Sequence, residues 1–116
     1  MKERSPITSH VLDTHRGKPA SSVPVHLEKK DGKQWKSLAL AETNSDGRVE
    51  GLLPSGTRIE NGTYRLTFNT HAYFEAHKMK GFYPEVSVVF EVASPEEHYH
   101  VPLLLSAHGY STYRGS

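Results

Sequence analysis

"EVSVVFEV", residues 85–92, is the stretch that decides the fold. Every second residue from Val86 to Val92 is apolar, and a period of two places these side chains on one face of a β-strand. The same alternation recurs twice earlier in the chain. It occurs in residues 23–30 with Val23, Val25 and Leu27, and in residues 63–69 with Tyr64, Leu66 and Phe68.

Turn-forming residues punctuate these strands. Asp31-Gly32 follows the first of them, and Asn44-Ser-Asp-Gly47 follows residues 35–43, each with residue types that tolerate positive φ. Residues 70–80 instead hold good helix formers and end before Gly81, which predicts one short helix with a glycine C-cap. We therefore predict an all-β, two-sheet β-sandwich of about seven to eight strands, with residues 1–116 forming a single domain.

Composition excludes several classes of function. The 14 Lys and Arg nearly balance the 13 Asp and Glu, and no long basic run is present that could neutralise a row of phosphates, so we expect no nucleic-acid partner. The chain has no cysteine, which excludes disulfides, thiolate nucleophiles and Cys-type zinc sites. The longest apolar run, Val101–Leu105, is far shorter than the roughly 20 residues that a membrane span needs, so no membrane association is expected.

The first ten residues, MKERSPITSH, are charged and no apolar segment of a signal peptide follows them. No targeting signal is visible in the sequence. We therefore expect a soluble, cytoplasmic protein, and a peroxisomal location is the alternative if the source is a eukaryote.

Polar side chains that could take part in a reaction are most concentrated after residue 97. In a strand, His98 and His100 lie on one face and Tyr99 on the other. The run Leu103–Leu105 ignores this alternation, so something must cover the outer face, and a second copy of the chain is the most economical cover. Pro102 predicts that the strand is irregular or at an edge near this point.

Two further candidates are His10, in a short apolar strand, and Arg48, which directly follows a glycine turn. Imidazoles together with a guanidinium, and no cysteine, suggest acid–base work and anion stabilisation on a water nucleophile. Histidine titrates near neutral pH, and the planar fork of arginine grips urea-like or carboxylate edges.

Other interpretations stay open on spacing alone. His98 and His100 also have the spacing of two metal ligands, to which His10 could add a third for zinc. Arg48 could be an ordinary surface residue, and Tyr113–Ser116 could be frayed. The remaining histidines are expected to be solvated or merely hydrogen-bonded: His15, His26, His71, His77 and His108.

Several motifs together carry a resemblance to a known family. They are His98–Ser106 with Tyr110–Ser116, Ser9–Asp13, Asp46–Arg48, and Phe82–Pro84 before a valine-rich strand. With these motifs the sequence resembles the 5-hydroxyisourate hydrolases, the transthyretin-related enzymes of urate breakdown, over essentially its whole length. The HYHVPLL and YRGS segments are typical of the enzymes and differ in transthyretin. The resemblance implies a transthyretin-like sandwich of two four-stranded sheets with one short helix, assembled as a homotetramer, a dimer of dimers with active sites between the dimers.

The resemblance also implies site residues and a reaction. The family's catalytic residues fall on His10, Arg48 and His100, and its substrate contacts fall on a wider set: His10, Arg48, His98, Tyr113 and Ser116. His98 is expected to support the others, and no metal or cofactor is implied. The sequence departs from the family at Ala107-His108, where Pro-Phe is common, which implies a changed loop or subunit contact.

The implied reaction is hydrolysis of the small molecule 5-hydroxyisourate to 2-oxo-4-hydroxy-4-carboxy-5-ureidoimidazoline. Which imidazole acts as base and which as acid stays undecided at this point. Two alternatives are a transthyretin-like carrier of thyroid hormone or another apolar ligand, and a structural sandwich without catalysis. A carrier should have small or apolar residues at positions 10, 48 and 100, where this sequence has polar ones.

Overall fold

The computed structural model describes residues 5–49 and 51–116. Its elements in chain order are β1 (Ile7–Asp13), β2 (Lys18–Pro19), β3 (Pro24–Asp31), β4 (Gln34–Glu42), β5 (Arg48–Val49), β6 (Gly62–Phe68), α1 (Thr70–Ala76), β7 (Val86–Val92), β8 (Tyr99–Leu105) and β9 (Tyr110–Thr112). One sheet has the order β2-β1-β8-β9, with β5 also paired to β1, and the other has the order β4-β3-β6-β7. The predicted two-sheet β-sandwich with one short helix is confirmed.

The three alternating stretches of the sequence form β3, β6 and β7, all in the four-stranded sheet. Their alternate apolar side chains fill the core between the sheets, and Leu27, Leu66 and Phe68 are fully buried there. The described residues form nine strands, more than predicted, because the other sheet includes two strands of only two residues each, β2 and β5. A strand of two residues is too short to show a pattern of alternating apolar and polar residues, so it cannot be recognised from the sequence.

The five-stranded sheet contains a parallel pairing between β1 and β8, whereas its other pairings are antiparallel. In this register Thr8 lies beside His100, and His10 lies beside Pro102. On the other side of β1, His10 pairs with Arg48 of β5. Residues from the beginning, the middle and the end of the sequence therefore meet on β1.

The interruption predicted at Pro102 is confirmed, although β8 is an inner strand and not an edge. The β8–β9 pairing runs from Leu105 to Leu103, breaks at Pro102, and resumes in the same register as the bridge between His100 and Gly115. Proline has no backbone N–H to donate at this point, so the break is local. The predicted two-sided apolar run is also confirmed, because Leu103 and Leu105 are buried in the core while the half-buried Leu104 faces outward.

The helix prediction is correct in place and wrong in length. Helix α1 ends at Ala76, not at Lys80, and the residue that takes the left-handed conformation is Lys78, with φ 55°, not Gly81. Backbone bonds from Lys78 N to Glu75 O (3.1 Å) and from Met79 N to Phe74 O (2.8 Å) form a Schellman-type ending. Tertiary packing of this ending therefore decides the boundary, and helix propensity does not.

The helix is fixed to β1 through a buried carboxylate. Asp13 is only 1% exposed, and its Oδ2 accepts a hydrogen bond from the Tyr73 hydroxyl at 2.6 Å. Its Oδ1 accepts from the backbone N–H groups of His15 and Arg16 at 3.0 Å. Burial, and next the bond to Asp13, raise the pKa of Tyr73, so its hydroxyl stays a donor. Among the described residues no helix is long and apolar enough to cross a membrane.

Candidate active site

The candidate residues gather on the outer face of the five-stranded sheet. Along β1 the burial alternates strictly, so that Thr8, His10 and Leu12 face outward while the residues between them enter the core. On β8 the outward positions include His100 and Leu104. The two strands thus present one continuous face with polar side chains at one end and leucines at the other.

Arg48 reaches this face because of the turn that precedes it. The Asn44 side-chain oxygen accepts from the backbone N–H groups of Asp46 (2.9 Å) and Arg48 (3.0 Å), which closes the turn. Gly47 has φ 75°, and a Cβ on it would lie 2.5 Å from the backbone oxygen of Val11. Only glycine lets the turn approach β1 this closely, and that approach sets Arg48 beside His10.

His10 is held in the form that can accept a proton. Burial is the largest cause that lowers its pKa below the ordinary value, and the neighbouring Arg48 charge lowers it further. A hydrogen bond to the backbone of Asp46 and the charge of that residue oppose this shift only in part. The imidazole of His10 is therefore neutral at neutral pH.

His98 and His100 form a second cluster, with a threonine between them. Their rings are stacked with centroids 6.5 Å apart and planes at 15°, on the face predicted for them, while Tyr99 is buried on the other side. The Thr8 hydroxyl lies 3.0 Å from His98 Nε2 and 2.8 Å from His100 Nδ1. Thr8 escaped the sequence analysis, although its position two residues before His10 puts it on the same strand face.

The last residues of the sequence are ordered against this cluster. The Arg114 guanidinium pairs with Glu97 at 2.9 Å and lies over the Tyr99 ring, 4.4 Å from its centroid. The Gly115 N–H donates to the His100 carbonyl at 2.8 Å. The interpretation of this segment as frayed is therefore wrong, because the Arg114 side chain and the Gly115 backbone bind β8 or the residues just before it.

The structure brings only some of the predicted substrate-binding residues close to one another. His10 and Arg48 adjoin on β1 and β5, and Gly115 brings Ser116 to the neighbourhood of His100. Tyr113 is 58% exposed and lines, with His100, a cavity of about 250 Å³ beside β7. A larger cavity of about 650 Å³ lies around Ser5, Thr57 and Pro95 and has His98 at its margin. In a single chain the candidate site is thus an open sheet face, not a closed pocket.

The described residues offer no support for the zinc alternative. Residues 5–49 and 51–116 contain no group of three or more His, Cys, Asp or Glu side chains that could hold a metal ion. Within this part of the chain, His10 is not grouped with His98 and His100 as a metal-ligand set would be. The Ala107-His108 departure falls in the turn from Ser106 to Gly109, where the Ala107 carbonyl accepts from Phe82 N at 2.7 Å.

Known proteins match this chain over nearly its whole length. The profile of the HIUase/Transthyretin family matches residues 7–115. The 5-hydroxyisourate hydrolase of Salmonella dublin is 47% identical over 110 residues, which cover 95% of this chain and 80% of that protein. The solved 5-hydroxyisourate hydrolase of Klebsiella pneumoniae has a TM-score of 0.84 at 33% identity, covering 97% of this chain and 99% of that one. Sea bream transthyretin in complex with thyroxine has a TM-score of 0.88 at 32% identity, covering 96% and 95%.

The fold and the polar sheet face define a transthyretin-like β-sandwich. Within that class, the chain belongs to the HIUase/Transthyretin family, and the predicted membership is confirmed. The solved structures do not separate hydrolase from carrier, because a transthyretin matches the fold as well as a hydrolase does. The side chains on the sheet face must make that distinction.

Proposed function

We propose that this chain hydrolyses 5-hydroxyisourate to 2-oxo-4-hydroxy-4-carboxy-5-ureidoimidazoline, a step of urate breakdown in purine catabolism. The observation that carries the proposal is the grouping of His10, Arg48 and His100 on one outer sheet face. Its second support is the likeness to a hydrolase named for this reaction, at 47% identity. No metal or cofactor takes part in the proposed reaction.

In this proposal His10, His100 and Arg48 have different roles in the hydrolysis of a cyclic amide. Water adds its hydroxyl to the ring carbonyl, and its proton passes through an imidazole of His10 or His100 to the ring nitrogen as the C–N bond breaks. The low pKa of His10 keeps that imidazole ready to accept a proton. The guanidinium of Arg48 binds the polar edge of the substrate and stabilises the oxyanion.

The substrate-binding set extends this site to Tyr113, Ser116 and His98. The ordering of Gly115 on the backbone of His100 supports this extension, because it keeps Tyr113 and Ser116 beside the catalytic imidazole. We assign His98 a supporting role through Thr8, which also binds His100.

We further propose a homotetramer, a dimer of dimers in which each sheet face is closed by another copy. The half-buried Leu12 and Leu104 lie side by side on the outer face and would be covered by such a copy. In the described part of the chain, β7 and β9 end their sheets and so offer backbone groups for pairing between copies. A cytoplasmic location and the absence of membrane and nucleic-acid partners stay predictions.

One second candidate has an observation in its favour. The likeness to sea bream transthyretin in complex with thyroxine would suit a carrier of an apolar ligand. A carrier channel should be lined by small or apolar side chains, and an imidazole neutral at neutral pH beside a guanidinium suits hydrolysis better. Thyroxine binding at micromolar concentration without any hydrolysis would favour the carrier.

The deciding experiment generates 5-hydroxyisourate with urate oxidase and follows the decay of its near-ultraviolet absorbance. The wild-type chain should accelerate the decay. Replacing His10 or His100 by Asn should lower turnover by roughly 100-fold or more, the usual cost of losing a general acid or base. His71→Asn is the matched control, because the His71 side chain is exposed on α1 and pairs with Glu75 one helix turn away. No acceleration by the wild type would exclude the hydrolase.

A further inference from the structure

The Thr8 hydroxyl joins two imidazoles in one short chain of hydrogen bonds. Its oxygen lies 3.0 Å from His98 Nε2 and 2.8 Å from His100 Nδ1. A hydroxyl has one proton to donate and lone pairs to accept with, and a neutral imidazole has one donor and one acceptor nitrogen. The tautomer of each ring therefore depends on the tautomer of the other ring and on the direction in which the Thr8 hydroxyl donates.

We infer that Thr8 is a positioning residue that gives His98 and His100 the same tautomer and passes a proton between them during hydrolysis. This inference rests on the proposed function. If Thr8 donates to His98 Nε2, then His98 carries its proton on Nδ1, and His100 must donate to Thr8 from Nδ1. The Nε2 atom of His100, on the side of the ring away from Thr8, then has the lone pair that a base requires.

The relay balances in protons. Water gives a proton to His100 Nε2 as its oxygen bonds to the substrate carbonyl. The Nδ1 proton of His100 moves to Thr8 Oγ1 while the hydroxyl proton of Thr8 moves to His98 Nε2, so His98 holds the positive charge and His100 is neutral with its proton on Nε2. His100 then donates that Nε2 proton to the leaving ring nitrogen while the Thr8 hydroxyl proton returns to His100 Nδ1 and the Nε2 proton of His98 returns to Thr8, which restores the starting state of all three groups.

The direction of transfer is favourable because of where Arg48 lies. Arg48 pairs with His10, two residues after Thr8 along β1. His98 precedes the pair formed by Ile7 and Tyr99, so it lies on the far side of the Thr8–His100 pair from Arg48. Moving the positive charge from His100 to His98 therefore takes it away from Arg48, which lowers their repulsion. At His98 the charge meets the Arg114–Glu97 ion pair, in which the Glu97 carboxylate, 2.9 Å from Arg114 Nη2, offsets the guanidinium that lies 3.4 Å from the His98 carbonyl oxygen.

The first test reads the tautomers by ¹⁵N NMR of the imidazole nitrogens in the wild-type chain, above the titration range of both rings. The Nδ1–H tautomer on both His98 and His100 is the expected result, and Nε2–H on both would overturn the relay because His100 Nε2 would then have no lone pair to accept a proton. Opposite tautomers would overturn the inference, because both rings would then donate to Thr8 or both would need its single proton. Thr8→Ser should preserve the matched tautomers, and Thr8→Val, which keeps the branched shape, should remove the match.

The second test measures hydrolysis by the same variants. Thr8→Val should lower kcat by about tenfold or more with a smaller change in KM, since a proton path is lost and the substrate contacts are kept, and Thr8→Ser should restore kcat. Thr14→Val is the matched control, because the Thr14 hydroxyl, one residue beyond the end of β1, also bonds to β8, at the Leu105 carbonyl (3.2 Å), and that bond involves no histidine. An unchanged kcat in Thr8→Val would overturn the relay and leave the hydrolase standing. If the wild type itself fails to hydrolyse, the proposed function fails, and the tautomer test still decides the role of Thr8.

Discussion

The backbone of Gly115 lies against the imidazole of His100. A Cβ on residue 115 would be 2.6 Å from His100 Cδ2 and 3.1 Å from Pro102 Cγ. Real Cβ atoms do not approach another heavy atom this closely, so the ring keeps its orientation only with glycine at this position. The terminal segment thus shapes the candidate site with its main chain as well as with its side chains.

Gly115→Ala should therefore displace the His100 ring and lower kcat by about tenfold or more, since general acid–base catalysis depends on the position of the proton-accepting atom. The free energy of unfolding should change little, because the segment covers the sheet from outside. Gly109→Ala is the control, since a Cβ there would lie at an ordinary 3.8 Å from Ser106 Oγ. Substrate decay measures kcat, and urea unfolding measures the free energy of unfolding. Equal activity of the two variants would contradict the prediction.

The pKa of His10 should rise when Arg48 is replaced by Met, because a repelling charge is removed. The burial of His10, the largest cause of the low pKa, persists in this variant and still opposes the rise. NMR titration of His10 in both proteins tests this. Arg114→Met is the control, since its charge is paired with Glu97. A His10 pKa that falls or stays unchanged in Arg48→Met would refute the electrostatic coupling.

The same shift has a consequence for stability. The folded state holds His10 neutral where the unfolded chain already binds a proton, so the unfolded state binds more protons just below the ordinary pKa. Stability from this group is present above about pH 6.5 and is lost as the pH falls below it.

Tyr73→Phe should lower the free energy of unfolding by about 1 to 2 kcal/mol, because the buried Asp13 Oδ2 loses its hydroxyl donor. Activity should persist, since Asp13 faces the core and not the outer sheet face. Urea unfolding measures the change. Tyr110→Phe, on the exposed β9, should stay within about 0.5 kcal/mol of wild type. Equal losses in both variants would mean that the Asp13–Tyr73 bond contributes nothing particular.

Leu104→Lys should break the proposed tetramer into smaller species and reduce hydrolysis, since a charge would have to be buried between copies. Light scattering beside the substrate-decay assay measures both effects. Leu40→Lys is the control and should leave the assembly and hydrolysis unchanged, because Leu40 is 78% exposed on the other sheet and lies outside the proposed site. A tetrameric Leu104→Lys protein would show that this face is not the contact between copies.

Deleting Tyr113–Ser116 should abolish hydrolysis and cost little stability, because these residues line the site while the core is formed by strands upstream. The truncated chain should therefore unfold near the wild-type temperature while its acceleration of substrate decay is lost. A truncated chain with wild-type activity would show that the segment plays no part in the site.

Alternation in β3, β6 and β7 was sufficient to predict the sandwich, because each strand has one face in the core and one outside. The outward direction of His98 and His100 followed from the same period. Three features could not be predicted: the parallel contact that sets Thr8 beside His100, the docking of the Gly47 turn that carries Arg48, and the left-handed Lys78 that ends α1. Each depends on contacts between distant parts of the chain, which local patterns do not encode.

The parallel pairing of β1 with β8 also dictates when the site can exist during synthesis of the chain. Thr8 and His100 are separated by 92 positions, so the ribosome releases the first long before its neighbour has been made. Strands β3, β4, β6 and β7 all lie between β1 and β8 in the sequence, and in the described part of the chain they pair only among themselves, so their sheet can form first. Until β8 arrives, β1 has an unsatisfied edge and an uncovered apolar face, which makes the nascent chain prone to wrong pairing. Catalytic competence in this architecture is therefore a late event of folding, reached only after the earliest and latest translated strands have met.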